Sequence, residues 1–175
     1  KNRLARDEPY LIREYFEKNA ASLPDIYIAA AALEPAGLKV KTTADWIKAY
    51  EATHNPDGTY GKTVADNAGA AITILRLGGT LKNPAAVAAS LKAAQKPDGG
   101  FAATGDKSDL GTSYRVTRAL YMLKEKPDIA KLQDFIAKCR NADGGYGNSP
   151  GEPSNASATY FAAIIHHWLD EMAKK

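Results

Sequence analysis

The sequence predicts an all-α fold built from tandem helical hairpins. An Asp-Gly pair followed by a small residue and an aromatic occurs three times, at residues 57–60, 98–101 and 143–146. The copies begin 41 and 45 residues apart, and self-similarity at a period of about 20–50 residues indicates a repeat architecture. Apolar residues recur at helical spacing near these copies, as in Leu132, Phe135, Ile136 and Cys139, and no window alternates as a strand does.

Eight helices are predicted in four pairs along a single domain that covers residues 1–175. The first helix of each pair lies near residues 9–18, 44–53, 85–94 and 129–138. The second helix lies near residues 26–33, 67–77, 110–123 and 156–172. The hairpin repeats are accordingly 9–38, 43–80, 84–125 and 128–172.

The second helices share a beginning that sets them apart from the first helices. Each is preceded by a residue of the type favoured as an N-cap, whose side-chain oxygen accepts from a free amide of the first turn: Asp25, Asp66, Asp109 and Asn155. Small residues follow each of these positions and let helices approach closely, whereas the first helices are rich in Lys, Glu and Gln. The alternation predicts an arc of an α/α toroid, with first helices outside and second helices inside.

The Asp-Gly loops are interpreted as structural. Asp57, Asp98 and Asp143 can each initiate a turn through hydrogen bonds to nearby backbone, and the following glycine accepts the positive φ that a helix stop requires. The same residue at the same offset in every repeat suits architecture better than chemistry. The aromatic after each loop is expected to pack between neighbouring hairpins.

Composition excludes several functional classes. The net charge of +3 is weak and the basic residues are scattered, which argues against a nucleic-acid partner. No apolar run approaches the roughly 18–20 residues that span a membrane. The single cysteine, Cys139, excludes an internal disulfide. None of these features assigns a compartment.

Two segments resemble a known family. The run Gln95-x-x-Asp98-Gly99-Gly100-Phe101 resembles the QW-type repeat of squalene and oxidosqualene cyclases, with Phe in place of the usual Trp. Residues 143–151 resemble the repeat of protein prenyltransferase β subunits more closely still. The resemblance extends over about residues 24–170, and it implies an α/α toroid whose inner helices line an apolar cavity for isoprenoid chains.

The catalytic residues that this resemblance implies are replaced. The transferases hold zinc through an Asp-x-Cys at one inner-helix start and a His at a later one. Asp109 matches the Asp, but Gly111 stands at the Cys position, and in the later Asp-x-x-His pattern Asn155 replaces the Asp and Ala158 replaces the His, so two of the three ligands are absent. One carboxylate does not hold a catalytic zinc, so no cofactor and no metal site is predicted. The Asp-x-Asp-Asp acid motif of the cyclases is absent as well.

The predicted helix at 110–123 carries the candidate binding residues. Arg115 and Arg118, with Tyr114, Thr112 and Lys107, are expected to form a cationic group beside Asp109, suited to a carboxylate or phosphate. The alternative is that both guanidinium groups pair with acidic residues of neighbouring helices or reach solvent.

The sequence favours a non-catalytic member of this family that binds an apolar or isoprenoid-like ligand, or a protein partner, on its concave face. One alternative is an enzyme that acts on isoprenoid diphosphates, with Asp109, Lys107, Arg115 and Arg118 in new roles. Another is a carbohydrate-active toroid domain. Four hairpins are fewer than the family's closed rings, so the arc is expected to be open, to be completed by a partner or a second copy, or to belong to a longer chain.

Overall fold

The computed structural model describes residues 4–174, which form eight helices and no strand. The helices are α1 (Leu4–Asn19), α2 (Leu23–Leu33), α3 (Thr43–Glu51), α4 (Val64–Arg76), α5 (Pro84–Ala93), α6 (Leu110–Met122), α7 (Ile129–Lys138) and α8 (Ala156–Ala173). The predicted all-α fold class is confirmed. Within this described part of the chain, no helix combines the length and the apolar character needed to cross a membrane.

The even-numbered helices form one continuous layer. α2 packs on α4, α4 on α6 and α6 on α8, and the α4–α6 and α6–α8 contacts are the most extensive of all. The odd-numbered helices pack mainly against members of this layer. α4 is buried along most of its length, because its run of alanines lets neighbouring helices come close. We call the even-numbered helices the inner layer, and the side turned away from the odd-numbered helices its inner face.

Two of the N-cap assignments made from the sequence are wrong. The N-caps of α2 and α4 are Ser22 and Thr63, and Asp25 and Asp66 stand three residues later. Each Asp accepts from the backbone amide of the cap while the cap hydroxyl accepts from the amide of the Asp, which makes a reciprocal capping box. A hydroxyl residue three positions before the acid completes this motif, so the helix begins earlier than the acid alone suggests.

The other two inner helices begin with the side chains expected from the sequence. Asp109 is the N-cap of α6 and accepts from the amide of Thr112 at 2.7 Å. Asn155 is the N-cap of α8 and accepts from the amide of Ala158 at 2.9 Å. Neither position has a Ser or Thr three residues earlier that forms a capping box, so the Asx side chain takes the cap itself.

Each Asp-Gly loop is closed by its own aspartate. The carboxylates of Asp57, Asp98 and Asp143 each accept from the amide two residues later, at 2.9–3.0 Å. The glycine after each has a positive φ, between 85° and 93°. At Gly99 a second constraint applies, because a Cβ there would lie 1.9 Å from the carbonyl oxygen of Lys131. These loops therefore require the Asp-Gly pair for backbone reasons.

The aromatic residue that follows each loop fixes the loop to the next inner helix. Tyr60 and Phe101 are fully buried, and Tyr146 is half-buried. The amide of each aromatic donates to a side chain on that helix: Tyr60 to Asn67 Oδ1 at 3.1 Å, Phe101 to Ser113 Oγ at 3.1 Å, and Tyr146 to Thr159 Oγ1 at 3.0 Å. One polar residue per repeat thus sets how the outer helix, the loop and the inner helix meet.

Candidate ligand-binding face

Two adjoining clefts open on the inner face. The first has a volume of about 420 Å³ and lies between α2 and α4, with the loop after α3 at its edge. The second, of about 630 Å³, lies at the beginning of α6 beside α8. Tyr27, Ala65 and Arg115 line both clefts, so the two form one continuous groove across the inner layer.

The first cleft is mainly apolar. Leu23 and Ile28 contribute aliphatic wall, and the Ile28 side chain remains 58% exposed although it is a large apolar group. The hydroxyl of Tyr50 donates to the carbonyl of Leu23 at 2.7 Å, which ties α3 to the beginning of α2. Burial raises the pKa of Tyr50, so this hydroxyl stays protonated and keeps donating. The cleft therefore has a fixed corner and an exposed apolar edge.

The second cleft contains the acid that the sequence singled out. Both carboxylate oxygens of Asp109 are engaged by Thr112, one by its amide at 2.7 Å and the other by its hydroxyl at 2.8 Å. The amide of Gly111 donates to Asn148 Oδ1 at 3.2 Å, which fixes the beginning of α6 to the loop after α7. Asp109 thus lies in the cleft wall as a helix cap, with each of its carboxylate oxygens bound by Thr112.

Aromatic rings cover the inner face between α6 and α8. Tyr114 lies 4.9 Å from Phe161, 5.2 Å from Trp168 and 5.9 Å from Tyr160, measured between ring centroids. Burial is the main cause that raises the pKa of Tyr114 to about 12, and the neighbouring Tyr160 hydroxyl adds to it. Trp168 also stacks on Tyr121. This aromatic cluster presents flat apolar surface between the two helices.

The arginines of α6 have different environments. Arg118 forms an ion pair with Glu34 at 3.4 Å, and Glu34 also pairs with Arg76 at 2.9 Å. The guanidinium group of Arg118 lies over the ring of Trp168, 5.2 Å from its centroid. Arg115 is exposed and lies over the ring of Tyr27 at 5.2 Å, and no carboxylate in the described part of the chain forms an ion pair with it. Arg118 thus follows the ion-pair alternative, whereas Arg115 is the cation available at the junction of the clefts.

The structure brings together most of the candidate residues but not all of them. Asp109, Thr112, Tyr114 and Arg115 line the second cleft. Arg118 lies beyond it in the pair with Glu34, and Lys107 is an exposed loop residue that pairs with Glu152 at 2.7 Å. Lys107 therefore does not belong to the cationic group expected from the sequence. Ligand binding by the remaining residues stays a prediction.

Several residues of the face were missed in the sequence. They are Tyr27, Glu34, Arg76, Phe161 and Trp168. Tyr27 and Glu34 stand seven residues apart, two helical turns, and so lie along one side of α2. Aromatic and charged residues seven positions apart, on helices that are otherwise rich in alanine, are the sequence signal that could have indicated this face.

The residues present do not fit the zinc site that the family resemblance implies. Asp109 is used as a helix cap, and Gly111 and Ala158 offer no side-chain donor. Among residues 8–174, whose side chains the structure describes, no three side chains of His, Cys, Asp or Glu lie close enough together to hold a metal ion. That this chain uses no zinc stays a prediction.

Comparisons with known proteins agree with this architecture. The family model described as prenyltransferase alpha-alpha toroid domain matches residues 10–175. Among solved structures, the chain is similar to Candida albicans protein geranylgeranyltransferase-I complexed with GGPP, with a TM-score of 0.72 and 17% sequence identity over 87% of this chain. The match covers 50% of that chain, so the present sequence spans about half of its length. Comparison with curated proteins gives no match. The predicted α/α-toroid fold is confirmed, and the carbohydrate-active alternative finds no support.

Proposed function

Because the chain belongs to the prenyltransferase alpha-alpha toroid domain family, we propose that its concave inner face binds an isoprenoid-like molecule with an apolar chain and an anionic head. Ligand sites are typically clefts of about 300–1,000 Å³ with mostly apolar walls and a few polar groups that orient the ligand. The two clefts, of about 420 and 630 Å³, have this size and character.

The position of Arg115 carries the proposal. Its guanidinium group lies at the junction of both clefts, is exposed, and has no carboxylate partner among the described residues. A guanidinium group forms paired, charge-assisted hydrogen bonds with phosphate or carboxylate oxygens. The stack on Tyr27 restricts the side chain without neutralising its charge. An anionic head at Arg115 leaves the apolar walls of the first cleft and the aromatic cluster for the chain.

Prenyl diphosphates combine these two parts in one molecule. The similar geranylgeranyltransferase-I structure is a complex with GGPP, which makes geranylgeranyl diphosphate a suitable first probe. We also propose that the chain by itself binds without transferring the prenyl group. Asp109 serves as a cap for α6, and Gly111 and Ala158 lack donors for zinc.

The test is calorimetric titration of the purified chain with geranylgeranyl diphosphate. Geranylgeraniol, which lacks the charged head, and inorganic pyrophosphate, which lacks the chain, are titrated in parallel and should bind more weakly. Trp168 lies in the aromatic cluster, so its fluorescence provides a second readout.

Replacement of the cation tests the site itself. Arg115→Met removes hydrogen bonds to a charged group, each worth about 1.5–3 kcal/mol, and should weaken binding roughly 10- to 100-fold. Arg140→Met is the matched control, since Arg140 is exposed on the loop after α7 and lines neither cleft. Absence of binding to the unaltered chain, or equal binding by both variants, would contradict the proposal.

The remaining alternatives give different outcomes in the same experiments. An isoprenoid-transferring enzyme would release pyrophosphate when an acceptor thiol is added, which our proposal excludes for this chain alone. A protein-binding face would leave geranylgeranyl diphosphate unbound while Arg115→Met weakens capture of the partner.

A further inference from the structure

The exposed large apolar side chains are concentrated at one end of the arc. Among residues 8–174, six such side chains are at least 41% exposed, and five of them belong to the first hairpin. They are Tyr10, Leu11, Ile12 and Tyr15 of α1 and Ile28 of α2. The sixth is Tyr160, on the last inner helix. The α1–α2 end of the arc is therefore unusually apolar for a surface in contact with water.

The opposite end of the arc has a polar outer helix. The exposed side chains of α7 are mostly charged or polar, and they include Lys131, Gln133, Asp134 and Lys138. Terminal repeats of a helical array remain soluble by presenting a polar outer face. Because α7 has this face and α1 does not, the two ends are not complementary to each other. The apolar end matches a second apolar end better than it matches α7.

The exposed side of α2 is arranged symmetrically about Ile28. Pro24, Ile28 and Ala32 are all exposed and stand four residues apart, so they share one side of the helix. Ile28 is the middle residue of Leu23–Leu33, and the smaller Pro24 and Ala32 lie on either side of it. Two copies of this stripe packed antiparallel place Ile28 opposite Ile28 and Pro24 opposite Ala32. This self-complementarity is what a two-fold interface requires.

The charges beside the stripe are complementary in the same arrangement. Asp25 is exposed in the first turn of α2. Lys39 is exposed beside the other end of that helix, where it lines a third cleft, of about 390 Å³, together with Leu33. Antiparallel packing of two α2 helices brings Asp25 of each copy toward Lys39 of the other, and such opposite charges favour the correct register.

We propose that the α1–α2 end of the arc is a docking surface for the same end of a second copy, so that the chain forms a two-fold dimer with α2 packed antiparallel on α2 of the partner. The five exposed side chains offer about 500 Å² per copy, since a large side chain of this kind buries about 150–250 Å² when fully covered. That is more than half of the about 800 Å² per partner that a stable interface buries. Ile28 is also the exposed edge of the first cleft, so the second copy closes this edge.

The first test measures the mass of the purified chain in solution without any ligand. Sedimentation equilibrium should give twice the chain mass of 18.7 kDa. Ile28→Lys should weaken the dimer about 100-fold or more, because a symmetric interface loses a central apolar contact in both copies at once. Tyr160→Lys is the matched control, since Tyr160 is similarly exposed on the other terminal inner helix, and it should leave the dimer intact. Circular dichroism should show the same helix content in both variants.

A cysteine variant tests the pairing of the helices directly. A disulfide requires two Cα atoms within about 7 Å, and the two-fold axis brings residue 28 next to itself. Ile28→Cys should therefore form a disulfide-linked dimer on mild oxidation, whereas Tyr160→Cys should not. Cys139 is fully buried and gives no background.

Three outcomes overturn the proposal. They are a monomer mass at about 100 µM, where even a dimer with a micromolar Kd is largely formed, an equal loss of the dimer in Ile28→Lys and Tyr160→Lys, and a linked dimer that forms only when Ile28→Cys and Tyr160→Cys are mixed. The last result would show that α2 pairs with α8 instead. These measurements use no ligand, so their failure leaves the proposed function standing, and failure of prenyl diphosphate binding leaves the dimer standing.

Discussion

Ser113→Ala tests the hydrogen bond that joins a loop aromatic to its inner helix. The Ser113 hydroxyl accepts from the amide of Phe101 at 3.1 Å, and both residues are fully buried. Alanine removes the acceptor, so the Phe101 amide loses its bond in a place that water does not reach. A buried donor left unsatisfied costs about 1–3 kcal/mol.

The expected magnitude converts directly into a measurable shift. For a domain of about 150–250 residues, each kcal/mol moves the melting temperature by about 2–4 °C. Ser113→Ala should therefore lower the melting temperature by about 2–12 °C, with a matching fall in the urea midpoint at an unchanged slope. Thr159→Ala removes the equivalent acceptor for Tyr146 but should cost less, because both residues are only partly buried and water can reach the amide.

The control for Ser113→Ala is Ser90→Ala, in the interior of the outer helix α5, which reports the change in helix propensity alone. Urea denaturation followed by circular dichroism gives the free energy of unfolding for all three variants. The reasoning is refuted if Ser113→Ala lies within about 0.5 kcal/mol of Ser90→Ala, a difference typical of surface changes. It is equally refuted if Thr159→Ala proves the more destabilising of the two acceptor variants.

Three further predictions concern titratable groups. Burial raises the pKa of Cys139 to about 12, so its thiol should resist iodoacetamide at pH 8 in the folded protein and react once urea unfolds it; rapid labelling of the folded chain would contradict this. The Ser154 hydroxyl lowers the pKa of Asp143, so the stability that this carboxylate contributes is present above its unfolded pKa of about 3.9 and is lost as the pH falls below that value. The melting temperatures of the unaltered chain and Asp143→Asn should accordingly converge below about pH 4, and a constant difference down to pH 2 would argue against it. Glu34→Gln leaves two largely buried arginines without their shared carboxylate. It should lower the free energy of unfolding by about 1–2 kcal/mol, a value reduced because Glu34 itself is partly exposed. Glu125→Gln removes the carboxylate of an exposed pair and should lower it by less than about 1 kcal/mol in the same melts.

Much of the fold could be predicted from local sequence signals. The Asp-Gly loops depend on one turn geometry, a backbone requirement that recurs identically in each repeat, so their positions marked the hairpins. The first residues of the helices could be predicted less accurately. Acidic residues just before a helix predict caps at Asp25 and Asp66, whereas Ser22 and Thr63 take that position in the structure. A capping box places the acid inside the first turn, and the two arrangements look alike when only the acid is considered.

The candidate site could be predicted only in part. Asp109, Thr112, Tyr114 and Arg115 all line the second cleft, because they lie within the first two turns at the beginning of α6. Nearness in sequence predicts Lys107 in the same group, but Lys107 lies in a loop and forms an ion pair with Glu152. Loop residues do not follow helical periodicity, so spacing did not indicate where Lys107 would lie.

The sequence by itself determined the all-α class, the tandem hairpins and their order, since these follow from hydrogen bonds and turns between residues close in the chain. Only the tertiary structure decided which of the two α6 arginines remains available on the inner face. Glu34, the C-cap residue of α2, pairs with Arg118 of α6, 84 residues away, and leaves Arg115 at the junction of the clefts. Contacts between distant helices depend on how the inner layer packs, and packing is set by the combined shapes of many side chains rather than by any single motif.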